Sequence, residues 1–378
     1  MSRPINKTNN KTNCQICQQP AVMELQHGLL CKNHFIAYFE DKVFKTINKY
    51  KLIRRNDRLC VAASGGKDSL TVLFLAKKYC ENYSLPASLF ALVIDEGIER
   101  YRAKTIMGLK KFCRDHKIPL KRASFKKEFK KTLDEAYPLI NKDSKKKPCN
   151  ICGTWRRYLL NKYSKKYGAT KIITGHNLDD EAQAIVMNLF KANTKLAGRL
   201  GPISGIKEHE LFAQRVKPLY FCPEKEVKLY SVLKGFEINF VECPYSREGY
   251  RYQIQEMLND FEAKFKGTKQ GIINSFLALL PKLEADDLND LEQIKQCSRC
   301  GEAANQEICN ACKLTAVIKN KDVVNKGVVN KGVVNKGVVN KGVVNKGVVN
   351  KGVVNKGVVN KGVVNKGVVF PSGKGNWN

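Results

Sequence analysis

The sequence predicts an α/β fold in which a parallel β-sheet is flanked by a small zinc module near each end of the chain. Three observations carry this prediction. Short apolar segments alternate with helix-like segments in the middle of the chain, a glycine turn with the sequence SGGKDS follows the first of them, and cysteines cluster on both sides. Strands that alternate with helices pair in parallel and bind ligands at their carboxyl ends.

The composition excludes several classes of protein. Of the 378 residues, 43% are hydrophobic, which is enough to bury a core. The longest apolar run, Ser88–Ile94, is far shorter than the ~20 residues that span a bilayer. The first residues carry no apolar segment of the kind that directs secretion. We therefore expect a cytoplasmic protein with no membrane segment.

The net charge of +32 is unevenly distributed. Ten consecutive five-residue units at 320–369, one NKDVV followed by nine NKGVV, carry +9. The segment Lys110–Lys171 holds 20 basic residues and 5 acidic ones. A lysine-biased genome would spread the excess evenly, so this concentration favours a basic surface for a polyanion such as nucleic acid.

The amino-terminal cysteines predict a zinc module. Cys14, Cys17, Cys31 and His34 follow the pattern CxxC-x13-CxxH, with His27 as a competing fourth ligand. Two-residue gaps allow each pair to bind one Zn²⁺, and four protein ligands leave no open position for water. We therefore expect a structural zinc site.

Strand-like and helix-like segments then alternate along the chain. The predicted strands are Arg58–Ala63, Leu89–Ile94, Pro119–Ala123, Lys171–Thr174 and Phe236–Val241. The predicted helices are Leu70–Tyr79, Arg102–His116 and Asp179–Phe190, the last capped by Asn177.

The SGGKDS turn lies between the first predicted strand and the first predicted helix. This arrangement presents backbone N–H groups and a helix N-terminus to an anion. The turn differs from the Walker pattern because its glycines are too close together. Each of its residues can contact a phosphate or Mg²⁺, namely Ser64, Gly65, Gly66, Lys67, Asp68 and Ser69.

Further polar residues follow the later strands. Asp95 comes directly after the second strand, and Gly175 and His176 come after the fourth. Because the carboxyl ends of parallel strands meet at one edge of a sheet, we expect one nucleotide-binding cleft to collect these residues.

A central cysteine pair has no adjacent second pair. Cys149 and Cys152 lie in PCNICGTWRR, and Cys243 follows the last predicted strand. Three converging thiolates can hold a [4Fe-4S] cluster that leaves one iron free, or they can form a catalytic disulfide or a persulfide. Arg156, Arg157 and Lys67 would favour the thiolate form.

The carboxyl-terminal cysteines predict a second zinc module, a zinc ribbon. They follow the pattern CxxC-x8-CxxC, which favours structural Zn²⁺ over an iron–sulfur site. The four residues are Cys297, Cys300, Cys309 and Cys312.

Together these motifs resemble the tRNA 2-thiouridine synthetases. The resemblance rests on SGGKDS, IDEG, PCNICGTWRRYLL, TGHNLDDEAQ, KPL with PEKEV, and ECPYS, and it covers residues 14–312. These enzymes form the TtuA-like branch of the PP-loop, or N-type ATP pyrophosphatase, superfamily, close to the cytosolic tRNA thiolation enzymes. The resemblance implies an adenine nucleotide alpha hydrolase-like, Rossmann-like catalytic domain.

The resemblance also implies a reaction. ATP with Mg²⁺ would adenylate the C2 oxygen of a tRNA uridine, at position 54 or wobble position 34, and sulfur would then replace that oxygen as AMP leaves. Cys149, Cys152 and Cys243 would be the catalytic or cluster-binding cysteines, with Arg156 and Asp180 near the reacting atoms. The family further implies a ubiquitin-like sulfur carrier with a C-terminal thiocarboxylate, and a homodimer.

Several alternatives stay open. Cys222, in CPEK, competes with Cys243 as third cysteine, although the family pattern requires none in that segment. Cytidine 2-thiolation enzymes share the cysteine pair but usually lack the flanking zinc modules. A non-catalytic zinc-ribbon RNA-binding protein would have no need of intact SGGKDS and cysteine motifs. Purely structural roles are favoured for His176, Trp155, Asp179 and Glu181.

The expected domain organisation has five parts. They are a zinc finger at 1–35, the PP-loop catalytic domain at 36–260, a helical segment at 261–295, the zinc ribbon at 296–315 and a disordered low-complexity tail at 316–378.

Overall fold

The structure is a computed structural model that describes residues 13–25, 28–144, 147–204, 211–238, 241–246, 249–285 and 295–331. The chain divides into two units, Met1–Val317 and Ile318–Asn378. The strands and the nucleotide-binding motifs all belong to the first unit.

Ten strands occur in the described residues. They are β1 (Ala21–Leu25), β2 (Gly28–Cys31), β3 (Arg58–Ala62), β4 (Ser88–Asp95), β5 (Leu120–Ser124), β6 (Lys171–Ile173), β7 (Ile203–Ser204), β8 (Gln214–Val216), β9 (Lys295–Gln296) and β10 (Ala303–Ala304).

Twelve helices accompany them over the same described ranges. They are α1 (Lys32–Lys49), α2 (Lys67–Asn82), α3 (Arg102–Asp115), α4 (Phe125–Phe129), α5 (Leu133–Ser144), α6 (Pro148–Lys166), α7 (Leu178–Phe190), α8 (Thr194–Ala197), α9 (Glu224–Leu233), α10 (Tyr250–Lys264), α11 (Thr268–Ala285) and α12 (Asn310–Lys331).

A six-stranded sheet with the order β5-β4-β3-β6-β8-β7 forms the centre of the first unit. Four of its five pairings are parallel, and only β7 runs antiparallel to its neighbour β8. The central strands β3 and β4 are nearly continuous apolar runs, as expected for parallel strands that are covered on both faces. The predicted α/β fold with a parallel sheet is therefore confirmed.

Helices cover both faces of this sheet. On one face, side chains of α1, α2, α3 and α9 form a single apolar core with Leu59, Val61, Ala91 and Val93. On the other face, α6 packs against β4. The two small antiparallel sheets, β1–β2 and β9–β10, belong to the cysteine modules near the two ends.

One predicted strand, Phe236–Val241, is wrong. The described part of this segment, residues 236–238 and 241, forms no strand, and β8 occupies the sheet position beside β6 instead. The Phe236 ring packs on the rings of Phe74 and Phe112, with centroids 5.5 and 5.2 Å away. Phe236 is therefore half-buried against α2 and α3, whereas Val241 is exposed.

The disordered tail expected from residue 316 differs from the structure at its start. Helix α12 continues from the carboxyl-terminal cysteine module to Lys331. Residues 310–331 contain no proline and a single glycine, so no strong helix breaker interrupts the helix. Residues 332–378, which include the rest of the repeat, lie outside the described residues.

The sequence predicts that the chain has no membrane-spanning segment. In the described part of the chain, none of the helices combines the length and the apolar character that crossing a bilayer requires.

A buried arginine joins the carboxyl ends of the two central strands. Arg102 is 4% exposed. Its Nη1 donates to the Ser64 carbonyl oxygen at 2.8 Å and its Nε to the Ile94 carbonyl oxygen at 3.0 Å. The Glu96 carboxylate lies 2.6 Å from the same Nε. One side chain therefore holds the SGGKDS turn, the end of β4 and a buried carboxylate in fixed relation.

Replacing this arginine should destabilise the fold strongly. Arg102→Met removes the nearer of the two arginines beside the buried Glu96 carboxylate and leaves only Arg156 of the described residues, 4.0 Å away, so we expect urea unfolding to show a loss of about 3–5 kcal/mol. Adding Glu96→Gln should restore part of that stability. The matched control Arg114→Met, at a side chain that is 76% exposed, should change stability by no more than about 0.5 kcal/mol. Equal losses at the two arginines would contradict this account.

Candidate active site

The SGGKDS turn forms a tight loop after β3. The Gly65 N–H donates to Ser69 Oγ at 3.1 Å. Gly65 has φ +89°, and a Cβ there would lie 2.4 Å from the Thr105 carbonyl oxygen, so no other residue fits. Helix α2 follows with Gly66 as its N-cap. Because glycine has no side chain to cap the helix, the first N–H groups are available to an anion.

Lys67 of the SGGKDS turn contacts two carboxylates, one from the same turn and one from α9. Lys67 Nζ donates to Glu224 at 2.7 Å and to Asp68 at 3.0 Å. Asn177 Nδ2 donates to the other Asp68 oxygen at 3.0 Å. Burial raises the pKa of Asp68. The positive charge of Lys67 lowers this pKa, and the negative charge of Asp180 raises it. The negative charge of Asp180 therefore acts on the Asp68 carboxylate.

The loop after β6 approaches the same helix closely. A Cβ at Gly175 would lie 2.8 Å from the backbone carbonyl of Asp68, so a larger residue would push the two loops apart. His176 is exposed, and its Nδ1 lies 2.9 Å from Thr174 Oγ1. The structure thus brings Gly175 to the SGGKDS turn, whereas the hydrogen-bond contact of His176 is with Thr174.

Asn177 caps α7, as the sequence predicted. Its Oδ1 accepts from the Asp180 N–H at 3.0 Å, while Asp180 Oδ2 accepts from the Asn177 N–H at 3.1 Å. The other Asp180 oxygen pairs with Arg251 at 2.5 Å, and Arg251 also donates to Gln183 at 2.7 Å. Asp180 is therefore held rigidly beside the loop.

The turn after β4 presents two acids with different surroundings. Asp95 accepts from the Gly97 N–H at 3.0 Å and pairs with Arg122. Glu96 is 4% exposed, with its Oε1 4.0 Å from Arg156 Nε. Sequence reasoning identified Asp95 and missed Glu96, although Glu96 lies in the same IDEG stretch.

The central cysteine pair lies in the first turn of α6. Cys149 is exposed, whereas Cys152 is only 7% exposed. The Cys149 thiol lies 3.6 Å from the carbonyl oxygen of Tyr245, which brings the loop that carries Cys243 against this turn. The three predicted cysteines are therefore neighbours.

The thiols share one electrostatic environment. Burial raises the pKa of Cys152 to about 11. The charge of Arg156 lowers this pKa, and the charges of Glu96, Cys243 and Cys149 raise it. Burial also raises the pKa of Cys243. The expectation that the basic side chains would favour thiolate is therefore wrong for Cys152 in the free thiol form, because burial outweighs Arg156.

Each terminal cysteine group has the geometry of a zinc site. All ligand atoms within each group lie within 4.8 Å of one another. The Sγ atoms of Cys17 and Cys31 are 3.6 Å apart, and those of Cys300 and Cys309 are 3.8 Å apart. Tetrahedral Zn²⁺ with bonds of about 2.3 Å separates its sulfurs by about 3.8 Å, so both groups fit. The two groups are Cys14, Cys17, Cys31 and His34, and Cys297, Cys300, Cys309 and Cys312.

The amino-terminal group uses His34 as its fourth ligand. His34 Nδ1 lies 3.5 Å from the Cys14 sulfur and 3.4 Å from the Cys31 sulfur. The competing ligand, His27, lies outside the described residues. Burial raises the pKa of Cys14 and Cys297, but backbone N–H donors outweigh it and lower both to about 6. Each group therefore holds one thiol poised for metal binding.

The central cysteines are spaced differently. All three are described, yet the sulfurs of Cys149, Cys152 and Cys243 do not all lie within 4.8 Å of one another. A single metal ion would require that closeness. A cubane cluster keeps its cysteine ligands farther apart, because each one binds a different iron. The sulfurs of these three described cysteines therefore do not form the close set that one zinc ion binds.

Cys222 is buried in the core, away from the cleft. It packs with the side chains of the core between the sheet and α1, α2 and α9. Burial raises its pKa to about 12, and its charged neighbours are Lys42 and Glu226. Cys222 therefore belongs to the core, whereas Cys243 belongs to the cysteine cluster.

The remaining sequence candidates have structural contacts. Trp155 is fully buried and stacks on Phe129 with centroids 4.2 Å apart. Asp179 accepts from the Glu224 N–H at 2.7 Å and pairs with Lys269 on α11 at 2.5 Å. Glu181 forms a buried ion pair of 2.8 Å with a lysine that follows β8. These contacts support the structural roles favoured for them.

Comparison with known proteins gives concordant results. The model of a family described as the PP-loop domain matches residues 36–253. The chain is 34% identical to a tRNA-5-methyluridine(54) 2-sulfurtransferase of Pyrococcus horikoshii, covering 81% of this chain and 94% of the relative. It is 31% identical to the cytoplasmic tRNA 2-thiolation protein 1 of Laccaria bicolor, covering 80% and 84%.

A solved structure resembles the chain over most of its length. This is the U34-tRNA thiolase NcsA of Methanococcus maripaludis with its [4Fe-4S] cluster. The match has a TM-score of 0.66 at 30% identity and covers 82% of this chain and 96% of that one.

Substitution of the strained glycine should weaken ATP binding. Gly65→Ala places a Cβ against the Thr105 carbonyl at an unfavourable φ, a strain of about 1–3 kcal/mol, so we expect ATP affinity to fall about tenfold or more. Calorimetric titration with ATP measures this. The control Gly271→Ala lies in α11 with nothing within 4 Å of the added Cβ and should leave ATP affinity unchanged. Wild-type affinity in Gly65→Ala would exclude the loop as the phosphate site.

Proposed function

The chain belongs to the PP-loop family of tRNA 2-thiolation enzymes, and we propose that it converts a tRNA uridine, at position 54 or wobble position 34, to 2-thiouridine at the expense of ATP. One observation carries this proposal. Glu96 lies between Arg102 and Arg156. Arg102 donates to the Ser64 carbonyl oxygen of the SGGKDS turn, here called the ATP loop, and the charge of Arg156 acts on Cys152. The nucleotide site and the sulfur site are therefore separated by only three buried or half-buried side chains.

The first step would join the uridine to AMP. The C2 oxygen attacks the α-phosphorus of ATP and pyrophosphate leaves, which turns a poor leaving group into a good one. The loop N–H groups and Lys67 would hold the phosphates, and Lys67 would exchange its contact with Glu224 for a phosphate oxygen. Asp68 and Asp180 would hold Mg²⁺, which would supply positive charge to the phosphates.

The second step would replace oxygen by sulfur. A sulfur nucleophile attacks C2, and AMP leaves with the former C2 oxygen. Cys149, Cys152 and Cys243 would hold a [4Fe-4S] cluster, which when bound supplies an iron with an open position for sulfur. Arg156, next to Cys152, would place positive charge beside the leaving phosphate. Burial of Cys152 would keep bulk water from competing with sulfur.

The partners follow from this chemistry. The basic segment Lys110–Lys171 surrounds the cysteine pair and suits the tRNA backbone. The uridine would be drawn out of its stack to reach the cleft. We further propose a ubiquitin-like thiocarboxylate protein as sulfur donor, a homodimer and a cytoplasmic location.

The cysteine cluster gives the experiment that tests this function. We expect Cys243→Ala to abolish thiolation and to lose the iron, because one cluster ligand is missing. Cys222→Ala should retain both, with a stability loss of about 1 kcal/mol from the small core cavity. Nucleoside mass spectrometry after anaerobic reaction with tRNA, together with iron analysis, measures the two properties. A Cys243→Ala protein that thiolates normally would refute the assignment.

Zinc analysis tests the terminal modules separately. We propose that both are structural Zn²⁺ sites, so the purified chain should contain two zinc atoms and Cys300→Ala should contain one. The control Cys80→Ala, at a buried cysteine of α2, should keep both. Loss of both zinc atoms in Cys300→Ala, or of neither, would contradict two independent sites.

A further inference from the structure

A cavity of about 460 Å³ lies between α6 and the carboxyl-terminal cysteine module. Its wall on α6 is formed by residues spaced at i, i+3, i+4 and i+7, which places them on one stripe of the helix. They are Thr154, Arg157, Tyr158 and Asn161. The cysteine module contributes the opposite wall, with Asn305 and Gln306.

The cavity is lined by three arginines. Arg157 comes from α6, Arg199 follows α8 and Arg215 comes from β8. Arg157 and Arg215 line the same cavity, and burial together with the charge of Arg157 lowers the pKa of Arg215. Holding like charges together is unfavourable unless an anion joins them.

Two of these arginines, Arg157 and Arg215, have no acidic partner among the described residues. Glu302 is the one acidic residue among the described lining residues, and its Oε2 accepts from Asn161 Nδ2 at 3.0 Å. Within the described ranges, neither Arg157 nor Arg215 forms an ion pair. Arginine presents a fork of donors that matches a phosphate group bidentately. The cavity therefore has the charge and the donors of a phosphate site.

Its position relative to the cysteines indicates which phosphate it binds. Cys149, Cys152 and Arg156 lie on the opposite stripe of α6 from the cavity wall, about one helix diameter away, or 10–12 Å. Arg157 belongs to the cavity wall, and its guanidinium lies near Gly153, where an added Cβ would be 3.3 Å from Nη1. A nucleic acid strand that crosses α6 at Arg157 would place one nucleotide at the cysteines and a neighbouring phosphate in the cavity.

We propose that this cavity binds a backbone phosphate of the RNA substrate next to the uridine that enters the cleft. The inference rests on tRNA as the proposed substrate, but it concerns a site separate from the ATP loop and the cysteines. Anchoring the flanking phosphate would hold the flipped nucleotide in place and would contribute contacts to the neighbouring nucleotides.

Binding measurements with single variants test the site. We expect Arg157→Gln and Arg215→Gln each to weaken tRNA binding about 5- to 30-fold and to reduce the slope of log affinity against log salt by about 1. The affinity for ATP should stay unchanged. The control Arg114→Gln removes an exposed arginine from the same basic segment and should weaken binding less than about twofold. Wild-type affinity and salt slope in both cavity variants would overturn the proposal.

A second experiment identifies the phosphate. Neutral methylphosphonate groups, placed one at a time along the tRNA strand that carries the target uridine, should weaken wild-type binding at one phosphate beside that uridine. The same substitution should have no effect on Arg157→Gln, because the two changes remove one contact. Interference that persists in Arg157→Gln, or a cavity that binds inorganic phosphate while every methylphosphonate is tolerated, would overturn the assignment to RNA.

These measurements also separate this inference from the proposed function. Equilibrium tRNA binding needs no turnover, so it reports on the cavity even if the reaction differs from thiolation. Conversely, a chain that thiolates tRNA but shows no effect of the cavity variants would retain its function and refute only the phosphate site.

Discussion

The buried contact between Arg102 and Glu96 is the constraint on which the site depends. Both side chains lie out of solvent, and the guanidinium also donates to carbonyl oxygens at the ends of β3 and β4. A buried ion pair of this kind contributes little net stability, but removing one partner is costly. It fixes the ATP loop, the turn after β4 and, through Glu96, the arginine that lies among the cysteines. Nucleotide activation and sulfur delivery therefore share a rigid frame.

The sheet topology explains why this frame lies where it does. From β3 the chain proceeds outward through β4 and β5 on one side, and through β6 and β8 on the other. Such a reversal opens a crevice at the carboxyl end of the central strand, where α/β proteins bind their ligands. The loops after β3, β4 and β6 all end there, and they carry Ser64, Asp95 and His176. The first turn of α6 then brings Cys149 and Cys152 to the edge of the same crevice.

Much of this arrangement was predictable, because it follows from local patterns. Continuous apolar runs identified β3 and β4, glycine spacing identified the phosphate loop, and paired cysteines identified both terminal modules. The strand predicted at Phe236–Val241 was wrong because an alternating apolar segment can pack its side chains against helices as well as in a sheet. Glu96 and Arg102 were missed because a charged residue shows its burial only once the packing around it is known. The cavity at Arg157 and Arg215 joins elements that are distant in sequence, so no local pattern indicates it.

The central claim is that the uridine oxygen leaves on AMP from a cleft that also delivers sulfur. The most direct measurement follows that oxygen. A tRNA transcript whose target uridine carries ¹⁸O at C2 is thiolated anaerobically with ATP and a sulfur donor, and the products are analysed by mass spectrometry. The account predicts one ¹⁸O in AMP for each 2-thiouridine formed. Label in pyrophosphate or in water, or 2-thiouridine formed with unlabelled AMP, would contradict it.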